Sequence, residues 1–275
     1  MVDHQRLETA LAVAATAADA ARAETMTRFR RLDLTTDNKL AGRGYDPVTE
    51  ADRAAETAIR GVIARHYPDD GIFGEEEART GGTSGWTWVV DPIDGTRAYL
   101  CGLPTWGTLI ALDDGQRGCL GIVDHPATGE RFMGLTGPGR TPGAWMARDA
   151  DGARIPLGVR KTTALAGARL MTTAPELFGD GEREGFERVR AAARLTRYGT
   201  DCYAYAMLAA GQIDLVIETG LAAYDIAAPK AVVEAAGGTV TDWEGGDCRW
   251  GGRTVAAATQ ALAEAALDLM AARTV

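Results

Sequence analysis

The segment 88–96 constrains the fold of this chain more than any other part of its sequence. An apolar run ends at Asp91, Pro92 follows directly, and a second acid, Asp94, stands three positions after the first, just before Gly95-Thr96. Proline cannot continue the hydrogen-bond ladder of a central strand, and glycine favours a turn. The sequence therefore predicts a buried strand that ends in two carboxylates and leads into the N-terminus of a helix.

These residues would bring two kinds of ligand to one point. Carboxylates bind hard cations such as Mg²⁺, and the free N–H groups of a helix N-terminus bind phosphate oxygens. Metal-assisted phosphoryl transfer needs both. Asp and Gly are also favoured in turns for backbone reasons alone, so the segment by itself leaves a structural interpretation open.

Two more acidic segments extend this pattern. An acidic run at 75–77 follows a short apolar run at 71–74, which could pair with the strand before Asp91, and far downstream Asp225 opens a predicted helix. A lone acidic run is usually a solvated surface, and a lone Asp before Ala-Ala is usually an N-cap. Asp52, in the first turn of another predicted helix, likewise suits the helix dipole. Each acid alone therefore has a structural explanation.

The hydrophobic pattern of the chain changes near residue 150. Residues 3–30 predict an alanine-rich helix, 36–45 a loop and 49–65 a second helix. Short β-like runs follow at 71–74, 86–91, 105–112, 118–124 and 131–135, with a hairpin turn at 113–116. Later strands at 169–172, 195–198, 214–218, 239–242 and 254–257 alternate with helices at 181–193, 202–210, 225–236 and 259–272. This order predicts a layered α/β architecture.

A Gly/Pro-rich stretch at 136–143 is the best candidate for a boundary within the chain. It predicts an α+β half at 1–145 and an α/β half at 146–275. We expect the two halves to form one compact catalytic unit, because the acidic residues that point to chemistry lie on both sides of the boundary.

Composition excludes several classes of function. The formal net charge is −9 and basic residues form no run, so we expect no nucleic-acid partner. The four cysteines form no CxxC pair and the three histidines lack ligand spacing, which argues against a zinc site or a disulfide scaffold. No apolar stretch is long enough to cross a bilayer, and the N-terminus lacks a signal-peptide pattern. We therefore expect a cytoplasmic protein without a membrane partner, whose chemistry uses carboxylates.

Four motifs resemble, in the same order, those of the inositol monophosphatase-like family of lithium-sensitive, Mg²⁺-dependent phosphatases. They lie at 46–52 (Asp-Pro-Val-Thr-Glu-Ala-Asp), 74–76 (Gly-Glu-Glu), 91–96 (Asp-Pro-Ile-Asp-Gly-Thr) and 224–228 (Tyr-Asp-Ile-Ala-Ala). The likeness covers nearly the whole chain. It implies a layered αβαβα sandwich of the inositol monophosphatase and fructose bisphosphatase type, a homodimer, and attack on a small phosphorylated metabolite by water that a metal activates.

The resemblance also implies how two to three Mg²⁺ ions would be bound. The ligands of the first ion would be Glu75, Asp91 and the carbonyl of Ile93, those of the second Asp91, Asp94 and Asp225, and a weaker third ion would bind near Glu75 and Glu76. Two departures from the family pattern, Tyr224 in place of the usual Trp and Pro229-Lys230 in a normally apolar stretch, remove no ligand.

The same resemblance assigns catalytic and phosphate-binding roles. Asp52 and Thr96 are similar to the pair that orients the attacking water, and Glu75 completes the catalytic set. The N–H groups of Gly95 and Thr96 would hold the phosphate.

Substrate selection is expected to depend on the second half. Glu218 matches a family residue that meets the non-phosphate part of the substrate, and Asp201 stands where inositol-specific members carry a small residue. Two carboxylates favour a cationic leaving group, because an unpaired buried carboxylate is costly. Arg97 is expected to be a third substrate contact. The segments 91–97, 102–107 and 198–205 are similar to those of the histidinol-phosphate phosphatase branch of the family.

Other interpretations stay open at this point. Asp201 could instead be the N-cap of the helix predicted at 202–210. The alternative substrate is inositol 1-phosphate with broad specificity, followed by a phosphoadenosine or sugar bisphosphate. A second role in binding RNA or transcription factors, known for some family members, is disfavoured by the acidic net charge.

Overall fold

The N-terminal layer of the protein is a pair of helices. The computed structural model describes residues 4–38, 47–137, 141–149 and 152–272, so Asp46 of the first motif lies outside the described residues. Helix α1 (His4–Arg28) buries a face made largely of alanine, which lets helix α2 (Glu50–His66) pack closely against it. Helix α2 begins with a capping box, in which the Thr49 hydroxyl accepts from Asp52 N–H and the Asp52 carboxylate accepts from Thr49 N–H.

The prediction of a loop at 36–45 is wrong for residues 36–38, which form a strand. Strand β1 (Thr36–Asn38) pairs antiparallel with strand β2 (Pro47–Thr49), and residues 39–46 lie outside the described residues. Each strand is three residues long and has no apolar pattern that a sequence could show. They form because a partner strand lies beside them, not because of an intrinsic preference.

A seven-stranded sheet follows, with its strands in chain order. Strand β3 runs parallel to β4, and every later neighbour is antiparallel. The hairpin predicted between β5 and β6 is confirmed, whereas β8 and β9 were not predicted. The strands are β3 (Gly71–Gly74), β4 (Thr87–Asp94), β5 (Gly107–Asp113), β6 (Gly118–His125), β7 (Glu130–Leu135), β8 (Gly143–Arg148) and β9 (Ile155–Pro156), with helix α3 (Thr96–Leu100) after β4.

The remaining elements build a mixed five-stranded sheet in the order β11-β10-β12-β14-β13. Its strands are β10 (Arg169–Thr172), β11 (Leu195–Tyr198), β12 (Leu215–Ala222), β13 (Thr239–Asp242) and β14 (Gly251–Ala257). Its helices are α4 (Asp180–Ala192), α5 (Cys202–Ala209), α6 (Ala223–Ala235) and α7 (Gln260–Ala271), and a 3₁₀ turn, Pro175–Leu177, follows β10. Every strand and helix predicted in this part of the chain is present.

Three apolar clusters between the layers confirm the αβαβα sandwich. The first joins α1 and α2 to one face of the seven-stranded sheet, and the second joins the other face of that sheet to α5, α6 and the five-stranded sheet. The third covers the far face of the five-stranded sheet with α4 and α7. In β4 the faces alternate, because Trp88 and Val90 enter the first cluster while Val89 enters the second.

The chain passes from the first sheet to the second later than the boundary predicted between residues 145 and 146. Strands β7 and β8 pair antiparallel, with Leu135 opposite Gly143, so the Gly/Pro-rich stretch connects neighbours within one sheet. Residues 138–140 of that stretch lie outside the described residues. Strand β8 crosses the predicted division, and the strands change sheet between Pro156 and Arg169. A division into two halves of one catalytic unit stays a prediction.

Two further expectations can be compared with the described residues. All four cysteines are free thiols, and only Cys101 is exposed. Within the described ranges, no helix combines the length and apolar character that a membrane span requires.

Helix α6 lies directly on two glycines of the seven-stranded sheet. A Cβ atom at Gly121 would lie 2.3 Å from the carbonyl oxygen of Ala228, and one at Gly134 would lie 2.6 Å from Cα of Val232. Gly121 and Gly134 face each other across β6 and β7. The backbone of α6 therefore occupies space that any other residue at these two positions would fill.

We expect Gly121→Ala to destabilise the protein by about 1–3 kcal/mol, because overpacking against backbone forces α6 away from the sheet. The matched control is Gly118→Ala in the same strand, where a Cβ meets no atom within 4 Å. That control should change the free energy of unfolding by less than about 0.5 kcal/mol. Denaturant unfolding measures both, and equal stability of the two variants would contradict the close contact.

His125, at the end of β6, is fully buried. Its Nδ1 lies 2.9 Å from the carbonyl oxygen of Trp106 and donates to it, while Nε2 has no partner among the described residues. Burial lowers the pKa of His125 from 6.5 to about 4. Between pH 4 and pH 6.5 the unfolded chain binds a proton at this imidazole and the folded chain does not. The stability that neutral His125 contributes is therefore fully present above pH 6.5 and is lost as the pH falls toward 4.

His125→Asn should remove this pH dependence, since the amide keeps a donor for Trp106 but cannot titrate. In the native protein the free energy of unfolding should fall by up to about 1.4 kcal/mol per pH unit between these pKa values from this group. Chemical unfolding at several pH values gives the slope for both proteins. Asp52 and Asp201, whose raised pKa values act in the opposite direction over the same range, contribute alike to both proteins, so the difference between the two slopes belongs to His125. The hypothesis fails if the two slopes are equal, whatever the absolute stabilities.

Candidate active site

Three carboxylates from distant parts of the sequence meet at one end of the seven-stranded sheet. Asp91 and Asp94 end β4, and Asp225 lies in the first turn of α6. Each contributes an oxygen atom, and these three atoms all lie within 4.8 Å of one another. The structure thus brings together the acids of the third and fourth motifs, which are separated by more than a hundred residues of sequence.

Each of the three carboxylates is oriented by a backbone N–H group. Asp91 accepts from the N–H of Ile93 (2.9 Å), Asp94 from that of Cys202 (2.7 Å) and Asp225 from that of Ala222 (2.7 Å). These bonds link β4 to the start of α5 and fix Asp225 against the end of β12. Hydrogen bonds of this kind orient ligands in metal sites.

The electrostatics of this cluster favour a bound cation. Burial raises the pKa of Asp91 and of Asp94 well above the usual range, and the negative charge of Asp225 raises both further. Glu75 acts in the same direction on Asp91, and Asp201 on Asp94. Hard carboxylate oxygens under mutual repulsion are a donor set that fits Mg²⁺.

Glu75 follows β3 and lies beside the cluster, in a turn that sequence reasoning did not explain. The buried Glu56 carboxylate accepts from the N–H groups of Glu76 (2.7 Å) and Glu77 (3.1 Å) and from Arg60 (2.8 Å). The Glu56 carboxylate lies so close to the backbone at Gly74 that a Cβ on this residue would be 2.0 Å from one of its oxygen atoms. The signal available was an acid and an Arg four residues apart on the predicted α2, with Gly before the acidic run.

Asp52 and Thr96 make different contacts from those expected of a pair. Burial raises the pKa of Asp52 to about 6, one of its oxygens accepts from Thr49, and the other is buried without a partner among the described residues. The Thr96 hydroxyl donates to the carbonyl oxygen of Ile93 (3.1 Å). Its single proton is therefore directed at Ile93 rather than at Asp52.

Gly95 is the point where the chain turns from β4 into α3. Its φ of 81° lies in the left-handed region, and a Cβ there would be 3.0 Å from a carboxylate oxygen of Asp201. The positive φ favours glycine, and a larger residue would also press on the Asp201 side chain. Gly95 and Thr96 line the same cleft as the acids, at the N-terminus of α3.

A cleft of about 390 Å³ reaches between the two sheets and is lined by Asp94 and Asp225 of the cluster, with Glu75, Gly95 and Thr96. Asp52, Asp91 and Ile93 are not among its lining residues. The predicted substrate residues Arg97, Asp201 and Glu218 all line it. Further lining residues that sequence reasoning did not single out come from the segments after β10 and around the end of β12, namely Thr173, Leu177, Thr219, Gly220, Leu221 and Ala222.

Asp201 occupies the N-cap position of α5, as the structural alternative predicted, but that alternative is wrong about its side chain, which does not cap the helix. Its side chain makes no capping hydrogen bond, and the N–H of Cys202 is bound by Asp94 instead. The φ of Asp201 is 44°, a conformation that few residues other than glycine adopt. Burial raises its pKa to about 6, and the charge of Arg97 acts in the opposite direction.

Glu218 is buried at the base of the cleft. Its carboxylate accepts from the N–H (2.7 Å) and hydroxyl (3.0 Å) of Thr173, and from the hydroxyl of Thr172 (3.3 Å). Burial raises its pKa to about 8, although the bonds from Thr173 and Thr172 act to lower it. A nearby positive charge would therefore stabilise the ionised form of both Asp201 and Glu218, the two acids predicted to contact the substrate.

One departure from the family motifs, Tyr224, lines the cleft beside Asp225, whereas the other, Pro229-Lys230, is not part of its lining. Helix α6 continues through Pro229, and Tyr224 packs its ring edge-on against Phe73 at 6.1 Å. Lys230 bonds to Glu234 (2.6 Å) and to the carbonyl of Val240 (2.9 Å), outside the cleft.

Comparison with known proteins gives consistent matches. Residues 6–274 match the inositol monophosphatase family. The chain is 41% identical over 215 residues to the chloroplastic bifunctional phosphatase IMPL2 of Arabidopsis thaliana, covering 78% of this chain and 59% of that protein. It is 38% identical over 234 residues to the histidinol-phosphatase of Streptomyces coelicolor, covering 83% and 84% of the two chains. An inositol monophosphatase structure from Zymomonas mobilis has a TM-score of 0.81 at 38% identity, covering 96% and 98%.

Asp225→Asn should raise the melting temperature when a chelator is present, because it removes one of three adjacent carboxylate charges, of which Asp91 is fully buried, while Asn still accepts from Ala222. We expect a rise of about 2–4 °C, equivalent to about 1 kcal/mol for a chain of this size. Mg²⁺ should stabilise the native protein more than this variant. Thermal unfolding with chelator and with Mg²⁺ provides the measurement.

The matched control is Asp268→Asn, which removes an exposed acid of α7. It should behave as the native protein in both conditions. If Mg²⁺ raises the melting temperature of Asp225→Asn as much as that of the native protein, Asp225 does not bind the ion.

Proposed function

The chain belongs to the inositol monophosphatase family of phosphatases, and we propose that it is a Mg²⁺-dependent phosphomonoesterase that hydrolyses L-histidinol phosphate to L-histidinol and phosphate. The observation that carries this proposal is the pair of acids, Asp201 half-buried and Glu218 buried, in the same cleft as the carboxylate cluster. Its support from the comparisons is the similarity to the histidinol-phosphatase of Streptomyces coelicolor.

In this proposal the carboxylate cluster binds two to three Mg²⁺ ions. The ligands are Glu75, Asp91, Asp94, Asp225 and the carbonyl oxygen of Ile93. When bound, Mg²⁺ offsets the negative charge on the phosphate and lowers the pKa of a water molecule. The backbone bonds to Ile93, Cys202 and Ala222 hold three of these carboxylates ready for the ion.

The remaining catalytic work falls to residues at the start of α2 and α3. The N–H groups of Gly95 and Thr96 bind phosphate oxygens, because the N-terminal N–H groups of a helix lack internal partners. Asp52 has an oxygen without a partner, which can accept a proton from the attacking water and orient it. Thr96 assists by fixing the turn through its bond to Ile93. Glu75, in the turn after β3, acts with Asp52 in this proposal.

The leaving group is recognised by charge. L-Histidinol carries an ammonium group and an imidazole, and a cation between Asp201 and Glu218 would relieve the cost of burying two carboxylates. Arg97, at the rim of the cleft, is the third substrate contact in this proposal. Assembly as a homodimer and a cytoplasmic location, both expected from the sequence, remain proposals.

Inositol 1-phosphate is the second candidate substrate. It is favoured by the structural similarity to the Zymomonas mobilis inositol monophosphatase, and Glu218 could accept hydrogen bonds from hydroxyl groups. A neutral polyol supplies Asp201 and Glu218 with no positive charge beyond that of Arg97, which is why we rank it below a cationic substrate. Phosphate release from both esters, side by side with Mg²⁺, separates the two.

Asp201→Asn should lower kcat/KM for histidinol phosphate by about ten- to a hundredfold, because a charge-assisted hydrogen bond contributes roughly 1.5–3 kcal/mol. Asn keeps the size of the side chain and tolerates a positive φ better than Ala does. The same substitution should barely change kcat/KM for p-nitrophenyl phosphate, which has no cation. Steady-state kinetics on both esters is the measurement.

Two results would count against this role. Equal losses on both esters, with a lowered melting temperature, would make Asp201 a structural residue and return inositol phosphate to the first rank. An absence of Mg²⁺-dependent hydrolysis of any monoester by the native protein would overturn the phosphomonoesterase proposal itself.

A further inference from the structure

Leu177 is a large apolar side chain held open to solvent inside the cleft. It ends the 3₁₀ turn Pro175–Leu177, is 45% exposed, and lines the same cleft as the carboxylate cluster. Most of its neighbours in the lining are polar or charged, among them Glu75, Asp94 and Asp225. An apolar surface left uncovered in such a cleft is a candidate contact for a ligand.

The exposure of Leu177 does not come from a loose segment. The next residue, Phe178, is buried and stacks on Phe186 with ring centroids 4.6 Å apart. On the other side, Thr173 is bound to Glu218 through both its N–H and its hydroxyl. The N–H of Leu177 itself donates to the carbonyl of Ala174 (3.1 Å). Anchors on both flanks therefore fix Leu177 in the cleft.

A second contact joins this turn to the opposite wall. The Glu182 carboxylate accepts from the N–H of Gly179 (3.1 Å) and from the hydroxyl of Thr219 (3.0 Å). Thr219 lies at the bulge of β12 between Glu218 and Leu221 and also lines the cleft. The turn that carries Leu177 and the strand that carries Glu218 are thus held at a fixed separation.

We propose that Leu177 is a specificity-determining residue that covers the leaving group of the substrate and selects phosphate esters with a planar, partly apolar body over polyol esters. This inference rests on the proposed phosphomonoesterase function of the cleft. With phosphate at the carboxylate cluster, the leaving group extends between the turn that carries Leu177 and the strand that carries Glu218. A ring removes the exposed surface of Leu177 from water, whereas a polyol presents hydroxyl groups that leucine cannot bond.

The test is Leu177→Ser, assayed with phenyl phosphate and with glycerol 2-phosphate in the presence of Mg²⁺. We expect KM for phenyl phosphate to rise about three- to tenfold with kcat unchanged, since loss of a contact made equally in the ground and transition states changes KM alone. KM for glycerol 2-phosphate should change less than about twofold. Leu177→Met, which restores an apolar side chain of similar volume, should recover the native KM for phenyl phosphate.

The matched control is Leu195→Ser, because Leu195 is 43% exposed but belongs to the edge strand β11, outside the cleft. Leu195→Ser should leave KM unchanged for both phenyl phosphate and glycerol 2-phosphate. An equal rise of KM on both esters, no rise on either, or the same pattern in the control would overturn the role of Leu177.

The same assays separate this inference from the choice of substrate. If the native protein hydrolyses phenyl phosphate but not histidinol phosphate, and Leu177→Ser still raises KM for phenyl phosphate alone, the contact is supported and histidinol phosphate is excluded. If histidinol phosphate is hydrolysed and Leu177→Ser changes KM for neither test ester, the inference is wrong and the proposed function stands.

Discussion

The contact between α6 and the seven-stranded sheet is the constraint on which the rest of the site depends. Asp225 is carried by α6, and Asp91 and Asp94 by β4, so the three acids can meet only if the helix lies at one fixed height above the strands. Gly121 and Gly134 set that height, because their missing side chains let the helix backbone lie directly on the sheet. The surrounding apolar cluster, which includes Val123, holds the helix there against the repulsion of the acids.

The site concentrates negative charge where burial makes charge expensive. Asp91 and Asp94 have pKa values raised by burial and by neighbouring acids, and this repulsion destabilises the fold until a cation binds. The layered core supplies the stability that makes such a cluster tolerable, in keeping with the general observation that functional sites depart from the rules that stabilise the remainder of a protein. Binding of Mg²⁺ would turn the same feature into a stabilising one.

Sequence reasoning succeeded where a pattern is local. The strand before Asp91, the capped start of α2 at Thr49 and the alternating second part were predicted, because periodicity and capping signals act within a few residues. It failed for β1, β2, β8 and β9, which are short or rich in small residues and exist because a partner strand lies beside them. It also missed Glu56, whose bonds to the turn at Glu76 and Glu77 join residues twenty positions apart.

The sequence by itself determined the chemistry of this protein: which acids are present, that they stand at strand ends and helix starts, and which family pattern they follow. Only the tertiary structure decided how they act together. It directed the N–H of Cys202 to Asp94 and left the side chain of Asp201 in the cleft rather than bound to its own helix. It also held Leu177 exposed in the same cleft as Glu218. The physical reason is that burial, mutual repulsion and orientation arise between residues far apart in the chain, and no local pattern specifies them.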